Sequence, residues 1–220
     1  MQEPLKHAAL KKKQRTLRDD FPETMGLRVH RALSWIARAE EAEDADGRFI
    51  FLWIAFNAAY ADESEFQTIA PPAREAFADF FRKVDSLDPG QRIYNAIWEN
   101  FSGPIRVLMK NRFVFYAFWQ HYNGMTGHED WSKRFYKSNH QFIDAFKKRD
   151  TVRVLSNVFD RLYVLRNQLV HGGSTWNSDV NRDQVRDGAA ILEFLVPVFV
   201  DVMMDNPRED WGRPFYPVVP

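Results

Sequence analysis

Leu155, Val158, Leu162, Leu165 and Leu169 recur at steps of three, four, three and four. That rhythm keeps one apolar stripe on a helix and makes it the seam of a bundle, whereas a strand needs a period of two. No alternating run in the chain is long enough for a sheet. The fold class that follows is all-α, a helical bundle. The spacing predicts a long amphipathic core helix over residues 153–171, stopped at Gly172-Gly173, where glycine takes the left-handed conformation that closes a helix. A final helix is expected over residues 181–204. Its start is marked by Asn181 and Gln184 in capping-box spacing, with Asp183 in the first turn, and Pro197 should kink it.

The same logic places the earlier helices. Val29, Leu33, Ile36 and Glu40 define a first amphipathic helix that runs into the acidic cluster Glu40, Glu41, Glu43 and Asp44, with Asp46-Gly47 read as its breaker. The stretch RFIFLWIAFNAAY is apolar all round, the pattern of a helix enclosed by its neighbours. Pro71-Pro72 and Asp88-Pro89-Gly90 bracket a helix near residues 73–84, and others are expected near 91–100 and 104–121. After a loop at 123–127, Trp131, Phe135, Phe142 and Phe146 share one helical stripe opposite Lys133, Arg134, Lys137, Lys147 and Lys148. The domain is expected to span residues 26–205, between a flexible basic lead-in (1–25) and an irregular Pro-rich tail (206–220) laid across the bundle by Trp211, Phe215 and Tyr216.

Charge and composition narrow the functions. Thirty basic and thirty acidic residues cancel, so a polyanion has to be gripped by a local patch. With no cysteine, disulfides, thiolate metal sites and cysteine nucleophiles are excluded. The N-terminus lacks the apolar core of an export signal, and the longest apolar run is far short of the roughly 20 residues a bilayer span needs. A cytoplasmic protein without a membrane partner is therefore expected. Phosphate-binding glycine loops, a G-x-S-x-G elbow and H-E-x-x-H are all missing, so neither a cofactor nor a metal is expected.

What remains is Arg166-Asn167-Gln168-Leu169-Val170-His171, at a helix end marked by glycine and followed by one more helix. This arrangement resembles the R-x(4–6)-H signature of the HEPN superfamily of small helical bundles. Trp53-Ile54-Ala55-Phe56-Asn57 is similar to the "W-x-x-F-N" helix of a bacterial HEPN group. The resemblance implies a metal-independent endoribonuclease, commonly a homodimer whose two motifs line one cleft, with RNA as substrate and an antitoxin protein as a further candidate partner.

The residue chemistry fits that reading. In RNA the ribose 2′-hydroxyl attacks the adjacent phosphorus when a base takes its proton and a cation steadies the phosphoryl oxygens. His171 is the candidate acid or base, Arg166 the phosphate clamp, and Asn167 the group that orients phosphate or imidazole. Lys133, Arg134 and Lys137 form a candidate RNA track. In an unbroken helix Arg166 and His171 would point roughly 140° apart, so the reading needs the glycines to free His171 from helical phase. Two other readings use the same residues. Arg and His near a helix C-terminus stabilise it by about 0.3–1 kcal/mol without any catalysis, and a HEPN module can bind RNA, nucleotide or protein without cutting. Asn57 is read as a hydrogen-bonded core amide, Trp176 as a packed residue beside the turn, Lys11–Lys13 as part of the mobile lead-in, and the acidic cluster at 40–46 as a proton handler only if the fold carries it to the motif.

Overall fold

The computed structural model describes residues 4–61, 73–179, 182–214 and 216, and among them every regular element is helical. The helices are α1 (His7–Leu17), α2 (Glu23–Glu40), α3 (Ala45–Tyr60), α4 (Ala73–Ser86), α5 (Arg92–Asn95), α6 (Ser102–Lys110), α7 (Tyr116–Tyr122), α8 (Trp131–Lys147), α9 (Thr151–Val170) and α10 (Arg182–Asp205). A π-helical turn, Ala96–Asn100, extends α5, and short 3-10 turns occupy Arg18–Asp20 and Arg112–Val114.

The helix that is apolar all round is α3, and it lies where its pattern requires, packed on α2, α9 and α10. Phe49, Leu52, Trp53 and Phe56 are buried on it. Phe56 meets Phe159 of α9 with ring centroids 4.5 Å apart, and Phe159 meets Phe81 of α4 at 4.8 Å. Large aromatic surfaces thus close the gaps between helices, each ring adding area and edge-to-face attraction. The predicted seam holds: Leu155, Val158, Leu162 and Leu165 are buried, and Leu169 packs against the core from its edge. Where α10 crosses α3 and α9, Gly188 permits the approach, because a Cβ there would sit 3.0 Å from Phe49 Cε2 and 3.1 Å from Leu162 Cδ2.

Several expectations need correction. Residues 7–17, read as part of a flexible lead-in, form α1, which packs on α2 and α10 through Leu10 and Gln14. So few of its residues are buried that the sequence carries almost no periodic signal. Lys13 of the basic run bridges Asp201 at 2.5 Å and Asp205 at 2.6 Å, in a network that Arg92 completes through Asp88 at 2.8 Å. Asp46-Gly47 does not break a helix but opens α3, where the Asp44 carboxylate accepts the Gly47 N–H at 2.7 Å. The single helix expected over residues 104–121 is two, because Asn111 is extended and its side chain accepts the Phe113 N–H at 2.8 Å, an Asx turn that competes with the helix. Helix α10 continues through Pro197, which withholds one N–H from its ladder. Pro71, Pro72, Asn181 and Phe215 lie outside the described residues. In the tail, Trp211 is buried and donates its Nε1–H to the Asn206 carbonyl at 2.9 Å, whereas Tyr216 is exposed. No helix of the described residues is long and apolar enough to cross a membrane.

Candidate functional site

Helix α9 ends in a Schellman motif. Gly173 N–H donates to the Gln168 carbonyl at 2.7 Å and Gly172 N–H to Leu169 at 3.4 Å, with Gly172 left-handed at φ 71°. His171 is the C-cap, exposed, with φ −93° and ψ 13°. Its backbone N–H still donates to the Asn167 carbonyl at 3.0 Å, the ordinary helical bond. The glycines therefore act one residue too late to release the imidazole. His171 keeps its helical backbone phase, so the glycines do not turn it toward Arg166.

Arg166 is half-buried, donates from Nη1 to Asn167 Oδ1 at 2.9 Å, and faces a cleft of about 550 Å³. The cleft is built by α2, α3, α9 and the tail. It brings Arg166 together with Arg31 and Asn57 on a wall of Trp35, Tyr60 and Tyr163, and His171 and Asn167 are not among its lining residues. Tyr163 and Arg166 are three apart on α9, and Arg31 and Trp35 four apart on α2, so each helix turns one cationic and one aromatic residue to the same side. Neither guanidinium has a carboxylate partner among the described residues. Arg166 is bonded to Asn167, and Arg31 donates to the Tyr216 carbonyl at 2.6 Å. Among the described residues both are left with spare donors and uncompensated charge in a partly desolvated space, which favours an anion there. Asn57, expected as a hydrogen-bonded core amide, is instead half-buried in this cleft, and its side chain has no hydrogen bond among the described residues.

The proposed RNA track lies elsewhere. Lys133, Arg134 and Lys137 are exposed on α8, and none lines the cleft. Arg134 is engaged, by Asp130 at 2.7 Å and the Gly127 carbonyl at 2.9 Å. The acidic cluster is structural: Glu40 accepts the His7 N–H at 2.7 Å and Asp46 pairs with Arg182 at 2.7 Å, so it handles no proton at the cleft. Trp176 does not pack; it is 71% exposed just past the helix end. Exposed Val170 and Phe113 flank the same end, Phe113 tied there by Gln168 Nε2, which donates to its carbonyl at 2.6 Å.

Arg31 is the residue that sequence reading passed over. Its signal was local: like Arg166, it has no Asp or Glu three or four residues away on its helix, so no intrahelical pair can neutralise it. Among the described residues, no group of three or more His, Asp or Glu is arranged to hold a metal ion. Compared with known proteins, the chain matches no family model, no curated protein and no solved structure. The likeness to HEPN proteins therefore rests on the motif residues and the helical architecture.

Proposed function

We propose that this chain is a HEPN-type endoribonuclease that needs no metal and acts as a homodimer. The observation that carries the reading is the Arg166 guanidinium, free of any carboxylate among the described residues and turned into an aromatic-walled cleft near the end of the helix that exposes His171. In the reaction, the 2′-hydroxyl oxygen bonds to the adjacent phosphorus and the P–O5′ bond breaks, leaving a 2′,3′-cyclic phosphate and a 5′-hydroxyl. One group removes the 2′ proton while another gives a proton to O5′. Among the described residues the cleft's only proton-exchanging side chains are its tyrosines, so one of these moves one of the two protons and His171 of a second copy moves the other. Arg166 steadies the charge on the non-bridging oxygens. Exposed Val170, Trp176 and Phe113 around the helix end offer apolar surface for that association.

A second reading is favoured by one observation: His171 does not line the cleft. On that reading the protein binds RNA or nucleotide at Arg31 and Arg166 without cutting it. Incubation of the protein with single-stranded RNA in EDTA decides between them. Cleavage by wild type that is lost in His171→Ala, at unchanged thermal stability, supports the nuclease, and no cleavage by wild type leaves the binding module.

A further inference from the structure

Three other enclosed arginines are held differently from the two in the cleft. Arg28 is fully buried and spends its donors on main-chain carbonyls, among them Ala61 at 2.7 Å and Arg213 at 2.9 Å. Arg92 is held by Asp88, Asp201 and Asp205, and Arg182 by Asp46. Among the described residues, Arg31 and Arg166 each have one neutral acceptor and spare N–H groups at the same cavity. A planar five-donor fork left in that state suits a phosphate, which it can grip bidentately.

Asn57 adds a second kind of group. An amide offers two N–H donors and one carbonyl acceptor, and among the described residues none of them has a partner. Donor and acceptor side by side match the edge of a nucleobase, the pairing that asparagine makes with adenine. Around it stand Trp35, Tyr60, Tyr163 and Tyr216, the last 68% exposed at the mouth. Aromatic faces of this kind take an unstacked base and are indifferent to a duplex, whose bases are already stacked. About 550 Å³ is within the range of pockets that enclose a small ligand, so the space takes a single nucleotide with its base turned in.

We propose that the cleft is a nucleotide-binding subsite: Arg31 and Arg166 hold a phosphate, the aromatic wall stacks one unpaired base, and Asn57 reads its edge. The proposal rests on the reading of RNA as the ligand but not on cleavage. It makes Arg31 a binding residue and Asn57 a specificity-determining one, and it makes single-stranded RNA the substrate class. A free mononucleotide has the same chemistry, and the test separates the two.

Calorimetric titration of the full chain is run with AMP, GMP, CMP, UMP, inorganic phosphate, and a 2′-O-methyl single-stranded pentanucleotide that cannot be cut. The expected result is binding of the pentanucleotide and at least one mononucleotide tenfold or more tighter than phosphate, with AMP ahead of the other three. Arg31→Ala lowers affinity for every nucleotide at least tenfold. Asn57→Ala and the near-isosteric Asn57→Asp change the ranking of the four bases and leave phosphate binding by Asn57→Ala unaltered. A pentanucleotide no tighter than AMP points to a free nucleotide as ligand and overturns the assignment of single-stranded RNA. Equal affinity for phosphate and nucleotides, or an unchanged base ranking in both folded Asn57 variants, overturns the subsite. Binding without cleavage sinks the nuclease and keeps this site, whereas cleavage that is indifferent to Arg31→Ala and Asn57→Ala does the reverse.

Discussion

The backbone N–H of His171 donates to the carbonyl of Asn167 at 3.0 Å, as it would in an uninterrupted helix. The imidazole therefore leaves α9 roughly 140° around from Arg166, the angle that five residues impose. One chain cannot easily bring both groups to a single phosphate. Two copies packed through the end of α9 can, since each exposes an imidazole there and each holds a guanidinium nearby.

On the proposed nuclease reading, that geometry assigns catalysis to a pair of chains. His171→Ala is expected to lower RNA cleavage at least about 100-fold, the usual contribution of a positioned acid or base. Because the residue is exposed, the thermal midpoint should stay close to wild type. Arg166→Ala should lower cleavage by a similar factor. Mixing the two inactive variants and allowing exchange should restore measurable cleavage, because a hybrid dimer joins an intact Arg166 from one copy to an intact His171 from the other. No recovery in a mixture shown to form hybrids would exclude a shared site.

The helix stop can be tested separately from chemistry. At Gly172 nothing lies within 4 Å of where a Cβ would stand, so the only cost of a side chain is its left-handed φ of 71°. Gly172→Ala should lose about 1–2 kcal/mol, and Gly172→Asn less, because asparagine tolerates that region. Urea unfolding measures both. Equal stability of the alanine variant and wild type would mean that the cap is not held in this conformation.

The parts of the fold readable in advance are those where burial imposes a period. The seam of α9, the enclosed α3 and the glycine stop were all visible, since each depends on neighbours in sequence. Helix α1 was not, because it buries few side chains and rests on Lys13 reaching Asp201 and Asp205, nearly two hundred residues away. The site divides in the same way. Arg166 and His171 were found from local spacing, but the cleft is assembled from α2, α3, α9 and the tail, and no local pattern could pair Arg31 with Arg166. Asn57 was judged by the apolar character of its helix, which is right for Leu52 and Phe56 and wrong for the position that opens to the cleft.

Close packing at Gly188 gives a further test. The three atoms nearest to an added Cβ belong to Phe49, Leu162 and Leu165, which are fully buried and held from two helices. Alanine gains about 1 kcal/mol in helix propensity, but it has to push side chains that have nowhere to go in a close-packed interior. Gly188→Ala is therefore expected to be less stable than wild type despite that gain, and Gly188→Leu to lose about 1–3 kcal/mol or more. A more stable alanine variant in urea would show that α10 has room to shift.

Asp85 offers a pH-dependent prediction. Burial raises its carboxyl above the usual 3.8, and repulsion from Asp88 and Asp150 adds to the shift, against a hydrogen bond from Thr151 that lowers it. The folded chain thus binds this proton more tightly than the unfolded chain. Between 3.8 and the higher folded value, unfolding releases a proton, so the contribution of Asp85 to stability falls as pH rises and is at its worst above that window. Asp85→Asn keeps the shape and the acceptor for Thr151 but carries no charge. Its thermal midpoint should exceed that of wild type at pH 7, and the advantage should shrink toward zero as pH drops to 3.5. A midpoint lower than wild type at pH 7 would mean that the carboxylate is stabilised by a partner rather than opposed by its neighbours.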